Sequence, residues 1–413
     1  MRDAGNNARA HAAARAAFRL SARAAERRGA ALPAVLGLGL AFMLLVAAPL
    51  LAQGRPEFFL DLDTGGHRAF VKDLAFTPDG ELLISASDDK TVRVWDWRAG
   101  VTIRTIRGQI GPGQDGKNFA LAISPDGGSL AVAGWYGDSA GAEPPFGDVR
   151  LFDLKTGALT AVLPGHDYVV YDLDFSPDGK RLAAGGQDGF VYLWKAGDAG
   201  GWQPETRLDA DSFRIEKIAF AMGGARLVAA TADNGIRLWD MGDLSEIALA
   251  STQAEALRDL PLRALAVSPD GDSFATGSDA GDLHIWRAAD GGLERALPRR
   301  DYLVAALAFS PDGARLVVSC GYRCAGRNGQ QVIARGTGET LFDYRGHDGT
   351  VYASAASQAV GLVATAGGSR HEIHVWDPQG GEVAARLLGV GRPVTAVGRR
   401  SRSVNSPCSS GQA

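Results

Sequence analysis

The sequence is poor in cysteine: Cys320, Cys324 and Cys408 are the three in 413 residues. That number excludes a disulfide framework as the source of stability. Cys320 and Cys324 lie four apart in one expected loop, free or locally bridged, and nothing beside them completes a metal-ligand set. The chain also lacks a phosphate-cradling glycine loop and paired Cys or His ligands elsewhere, so neither a cofactor nor a metal is expected. A basic surplus is missing too. The formal net charge is −4, and without residues 1–52 it falls to −9, from 36 basic and 45 acidic residues. A body this acidic argues against a nucleic-acid partner. Long apolar runs are absent but for one, Ala31 to Ala52.

That run comes after a basic region, residues 1–30, with seven arginines against Asp3 and Glu26. Basic residues, an apolar stretch and the small-residue ending APLLAQ read as a signal peptide cleaved after Ala52. The same 22 residues suit an uncleaved anchor, since a bilayer core takes ~20 apolar residues. Either reading expects a hydrophobic helix over 31–52 and exports the rest of the chain, to the periplasm or to the periplasmic side of the inner membrane. Membrane contact is then confined to this segment, and only if it stays uncleaved.

What is present in quantity is repetition. TPDG begins at Thr77, and SPDG at Ser124, Ser176, Ser268 and Ser310; degraded copies begin at Ala221 and near Ser357. Successive starts lie 47, 52, 45, 47, 42 and 47 residues apart, the period of a four-stranded propeller blade with variable loops. Proline sets the turn, aspartate bonds the local backbone, and a glycine such as Gly80 takes positive φ. The flanking segments are apolar on both faces, as sheets packed blade against blade require. Seven such units make an all-β, seven-bladed β-propeller of four-stranded blades.

Trp95, Trp194, Trp239, Trp286 and Trp376 end the third strand of their units, three of them followed by aspartate; His67, His166 and His347 follow a glycine ahead of the first strand. Asp89, Asp188 and Asp233 lie six residues before their tryptophans. These residues resemble the WD-repeat family over residues 56–390. The resemblance implies a buried hydrogen-bond network of His, Asp, a strand Ser or Thr, and Trp, with a structural role. Departures are Phe152 and Ala334 at the tryptophan position of units two and six, and Ala280 for the turn aspartate of unit five.

Glu57–Leu62 and Glu382–Leu388 compete for the outer strand that closes the ring, and Arg392–Val397 resembles the start of a further unit. Residues 391–413 read as an incomplete repeat and a disordered tail. The long insertions, 108–117, 134–147, 251–260 and 321–329, fall in connections that share one face, which marks that face for binding. The resemblance implies that the channel mouth on this face is ringed by Lys72, Phe119, Tyr171, Glu216, Arg263, Ala305 and Tyr352. Trp135, Tyr136 and Phe146 join them from the largest loop. Aromatics mixed with single charges suit a protein or peptide partner.

Two motifs invite chemistry and do not support it. Gly137–Gly141 fits G-x-S-x-G, but that elbow needs a strand running into a helix. His371–His374 is HExH, one residue short of the helical zinc motif and leading into a strand; a solvated His371 and a packed His374 are expected. The expectation is therefore a non-catalytic interaction scaffold. Two alternatives stand beside it: a sensory or targeting domain of a longer protein whose effector, such as a caspase-like peptidase, is lost, and a propeller enzyme with an axial-channel site.

Overall fold

The apolar strands that flank the SPDG-type turns form in every blade. The computed structural model describes residues 65–108, 113–136, 147–197, 200–233, 235–249, 261–321 and 329–389. The chain divides into two units, Met1–Leu62 and Asp63–Ala413, and all described residues belong to the second. Blade 1 comprises Val71–Phe76, Leu82–Ser87, Thr91–Asp96 and Val101–Arg107; blade 2, Lys117–Ile123, Ser129–Trp135, Val149–Asp153 and Leu159–Leu163. Blade 3 has Val170–Phe175, Arg181–Gly186, Phe190–Ala196 and Trp202–Asp209; blade 4 has Ile215–Ala221, Arg226–Thr231 and Ile236–Asp240. Blade 5 has Leu262–Val267, Ser273–Ser278, Leu283–Arg287 and Leu293–Leu297; blade 6, Val304–Phe309, Arg315–Cys320, Gln330–Ala334 and Thr340–Tyr344. Blade 7 ends the ring with Val351–Ser357, Leu362–Gly367, Glu372–Trp376 and Val383–Leu387. Strands pair in sequence order within each blade, and every pair is antiparallel.

Four strands were expected in every blade, and blade 4 departs from this. It has three, with a single bridge, Trp239 to Glu246, where a fourth would run. A hydrogen bond from the Ile247 N–H to the Leu238 carbonyl extends that edge without completing a ladder. Among the described residues no helix is long and apolar enough to cross a membrane. The expected hydrophobic helix at 31–52, and the tail after 390, lie outside the described residues.

The core sits between blades. Ile84 and Val94 of blade 1 pack with Leu130, Val132 and Phe152 of blade 2. Val71, Leu74 and Trp95 of blade 1 join Ala364, Ile373 and Leu387 of blade 7, which closes the circle. Each such aliphatic side chain contributes about 1.5–3 kcal/mol when fully buried. Of the competing closing strands, Val383–Leu387 occupies the outer position of blade 7, paired with Glu372–Trp376; Glu57–Leu62 and Arg392–Val397 lie outside the described residues.

The SPDG segments form tight turns on the face opposite the connections that lead into the first strands. Ser176 Oγ donates to Asp178 Oδ1 at 2.6 Å, and the Gly179 N–H donates to the Ser176 carbonyl at 2.8 Å. In the degraded copy, Met222–Gly224 forms a single 3-10 turn with Met222 and both glycines at positive φ. Register also moves one expected departure. Ile333, not Ala334, pairs with Leu316 as Trp95 pairs with Leu83, so a fully buried isoleucine holds the tryptophan position of blade 6.

Candidate functional site

The first strand of every blade carries one irregularity, and it falls at equivalent places. Pairing with the second strand skips one residue between Val71 and Asp73, Asn118 and Ala120, Val170 and Asp172, Ile215 and Lys217, Leu262 and Ala264, Val304 and Ala306, and Val351 and Ala353. The residues left over are Lys72, Phe119, Tyr171, Glu216, Arg263, Ala305 and Tyr352. A β-bulge leaves its extra residue out of the ladder and re-aims the side chain, and bulges gather beside functional sites. Here all seven line a single cavity of about 360 Å³, with Lys217 and Leu303 completing its wall.

The rim has two characters. On one side Lys72 Nζ lies 4.6 Å from the Tyr352 ring centroid and 6.0 Å from that of Phe119, within cation–π reach. Phe119 and Tyr171 stack, centroids 6.0 Å apart and 7° from parallel. Asp88 Oδ2 draws both Lys72 and Lys117, at 3.7 and 3.6 Å. On the other side Arg263 forks to Asp279 at 2.6 and 3.0 Å and also bonds Glu216 Oε1, the same oxygen that takes Arg214 at 2.5 Å. Burial raises the Glu216 carboxyl above its usual value, against the pull of Arg263 and Arg214. The Asp279 hydrogen bonds raise Arg263 further still.

Beneath the mouth lies a set of charges that sequence reasoning did not single out. Asp73 Oδ2 accepts the Leu121 N–H, Asp172 Oδ2 the Ile218 N–H, and Asp174 Oδ2 the Phe220 N–H. Each aspartate thereby braces its inner strand against the backbone of the next blade. Lys217 Nζ sits 2.8 Å from Asp172 Oδ1. Burial lowers Lys217 on its own, but Asp172 and Asp73 more than offset that and raise it. Desolvation lifts Asp73 to about 6 and Asp174 to about 7. Their visible signal was two charged residues inside each of the otherwise apolar segments VKDLAF and VYDLDF.

The loop residues fare differently. Trp135 is 37% exposed on the expected face. Tyr136, expected beside it as a partner contact, is buried: its hydroxyl donates to Asn118 Oδ1, and Arg150 stacks 4.3 Å over its ring. It belongs to the core between blades 1 and 2 because the chain turns inward after Trp135. Phe146 and the Gly137–Gly141 motif lie outside the described residues. Three exposed aromatics went unnoticed in the sequence: Phe70, Tyr168 and Phe213, at 41, 55 and 60%. All stand in connections that lead into first strands, so they share a face with Trp135 and the bulged residues.

The structural network is complete in blade 1. His67 Nδ1 donates to Asp89 Oδ2 at 2.8 Å, His67 Nε2 accepts from Ser85 Oγ at 2.6 Å, and Trp95 Nε1 donates to that oxygen at 2.8 Å. Burial opposes the charge on Asp89, but the His67 hydrogen bond holds its carboxyl well below the usual range. Elsewhere it is thinned. In blade 3 His166 keeps Asp188 at 2.9 Å but meets the Ala184 carbonyl in place of a hydroxyl, and Trp194 is fully buried. In blade 4 Asp233 bonds Ser212 rather than a histidine, with Trp239 buried nearby. Trp286 donates to Thr276, and Trp376 shares Thr365 with His347. His374 is fully buried as expected; His371, expected in solvent, is half-buried with its ring 5.1 Å from Phe70. Cys320 is disulfide-bonded, its partner lying outside the described residues.

Comparison with known proteins agrees with this architecture. The model for "WD domain, G-beta repeat" matches residues 60–96, 157–195 and 258–287. The chain is 24% identical to apoptotic protease-activating factor 1 of Rattus norvegicus, over 63% of this chain and 26% of that protein. It is 27% identical to the guanine nucleotide-binding protein subunit beta of Oryza sativa subsp. japonica, over 54% of this chain and 57% of that one. Nuclear distribution protein PAC1 of Arthroderma benhamiae is 26% identical over 34% of this chain and 38% of its own length. The chain thus spans between a quarter and little more than half of these relatives. Its described part is a seven-bladed β-propeller, and three stretches of it match the WD-repeat model.

Proposed function

We propose that the protein is a non-catalytic interaction scaffold that holds a protein or peptide segment at the channel mouth. The observation that carries this is the arrangement of aromatics. Among the described residues Phe70, Trp135, Tyr168 and Phe213 are the large aromatic side chains exposed by more than a third, all four stand in or beside connections on the face of the mouth, and the Phe70 ring packs 5.2 Å from that of the rim residue Tyr352. Aromatic and arginine anchors dominate protein–protein affinity, and here the arginines Arg214 and Arg263 lie within the same ring. The names of two relatives, a subunit and a protease-activating factor, also describe proteins that act on or with other proteins.

The enzyme reading would place acid and base groups in the channel. Asp73, Asp172 and Asp174 are there, but each is committed to a backbone N–H of the neighbouring blade, which favours bracing over proton transfer. As for location, the basic region and apolar run of residues 1–52 support export, with the propeller periplasmic or tethered on that side of the membrane.

The test is partner capture from native membrane and periplasmic fractions, with Trp135→Ala/Phe213→Ala compared against Gln358→Ala on the opposite face. The expected result is a partner retained by wild type and Gln358→Ala and lost by the mouth variant. A partner that survives the mouth variant, or capture of nothing by any form, counts against the reading.

A further inference from the structure

Blade 7 departs from the blade 1 pattern where His67 meets Asp89. Ser369 and Arg370 occupy the turn, and among the described residues no acid hydrogen-bonds His347 Nδ1, which is buried without a hydrogen-bond partner. A second histidine nitrogen, His374 Nε2, is buried and unpartnered as well, with Glu372 Oε1 3.5 Å away. One ligating atom from each of His347, Glu372 and His374 lies within 4.8 Å of the other two. His347 and His374 are wholly buried and Glu372 is 4% exposed.

The remaining atoms of the same side chains are each already held. His347 Nε2 is 3.0 Å from Thr365 Oγ1, His374 Nδ1 is 2.9 Å from the Tyr344 hydroxyl, and Arg370 lies 3.1 Å from Glu372 Oε2. A tautomer that donates from Nε2 in His347, and from Nδ1 in His374, leaves free lone pairs on His347 Nδ1 and His374 Nε2, the two nitrogens without hydrogen bonds. Outer partners of this kind fix ring orientation and raise ligand basicity in metal sites. Alternation along the strand Glu372–Trp376 places Glu372 and His374 on one face, towards the loop that carries His347. Gly346 is part of the arrangement, because a Cβ there would stand 2.4 Å from the Tyr344 hydroxyl and 2.6 Å from His374 Nδ1.

We propose that His347, Glu372 and His374 bind one first-row divalent metal ion, zinc being the best match to two imidazoles and a carboxylate. Three protein ligands leave a position for water. Tetrahedral ligands at 2.0–2.1 Å stand about 3.3 Å apart, so binding draws the three atoms together and tilts the stacked rings, now 4.1 Å between centroids. The ion supplies the positive charge that satisfies Glu372 and both nitrogens, and fastens the loop before the first strand of blade 7 to its third strand. That is the join which the His67–Asp89 pair makes in blade 1.

The test is Zn²⁺ titration of the chelator-treated full chain by calorimetry, with Co²⁺ absorption as the spectroscopic readout. One ion per chain is expected, with a tetrahedral Co²⁺ spectrum. His374→Phe and Glu372→Gln should each weaken binding at least tenfold, whereas His371→Ala should not change it. Circular dichroism checks the fold of every variant, and if His374→Phe unfolds, the near-isosteric Glu372→Gln decides. Binding no weaker in folded Glu372→Gln than in wild type, or no saturable binding by wild type, overturns the proposal.

Discussion

Lys72 and Tyr352 come from the first and last blades, yet the lysine Nζ rests 4.6 Å from the tyrosine ring centroid. The two ends of the repeat therefore meet at the channel mouth as well as in the core. A partly exposed cation–π pair contributes about 0.5–1 kcal/mol. Lys72→Met is expected to lower stability by about that amount in urea titrations and to weaken partner binding by tenfold or more. A large loss of stability with binding intact would mean that the contact serves the seam alone.

Trp95 tests the internal network. It is buried to 1% exposure, and its indole N–H donates to the same Ser85 oxygen that holds His67. Trp95→Ala combines a lost aromatic with the loss of a donor to the Ser85 oxygen of the His67 network, and truncating a buried tryptophan costs about 3–5 kcal/mol. Trp286→Ala serves as the comparison, since its Thr276 partner holds no histidine. Urea midpoints should show the larger loss for Trp95→Ala.

Much of this was legible from the chain. The SPDG period set the number of blades, and the tryptophans marked the third strands, because both are local signals repeated many times. The seven bulges were not legible, since register is a property of pairing and no turn residue announces it. The same limit misplaced the tryptophan position of blade 6 by one residue, from Ile333 to Ala334. Tyr136 resembles a surface anchor in sequence because its neighbour Trp135 is one; which of two adjacent aromatics turns inward depends on Asn118 and Arg150. The aspartate braces join residues about a blade apart, so each looked like an isolated charge.

Asp174 gives a pH prediction. Burial lifts its carboxyl to about 7 in the folded chain, above its ordinary value of 3.8. The folded state then binds the proton more tightly than the unfolded state, so this group's contribution is greatest below pH 4 and is lost as pH rises towards 7. His347, pushed down to about 3 by burial, acts in the opposite sense over part of that range. The difference between wild type and Asp174→Asn isolates the carboxyl. Stability of the variant relative to wild type should rise between pH 5 and 7.5, as measured by urea unfolding at each pH. A flat difference would mean that Asp174 is ionised throughout that range.

Ring closure rests on one close approach of backbone. A Cβ built at Gly66 would lie 2.0 Å from the Gly389 nitrogen and 2.4 Å from its Cα, so no side chain fits between the strand-entry loop of blade 1 and the chain leaving blade 7. Thr102 Oγ1 donates to the Gly65 carbonyl at 2.6 Å and fixes the first of these segments. Gly66→Ala must therefore push the two segments apart, and overpacking of this kind costs about 1–3 kcal/mol. Because the strain falls on the seam, local opening should increase there first. Hydrogen exchange is expected to quicken in Val71–Phe76 and Val383–Leu387 and to stay unchanged in blade 4. Uniform quickening around the ring would show that the blades open together and that the seam is no weaker than any other junction.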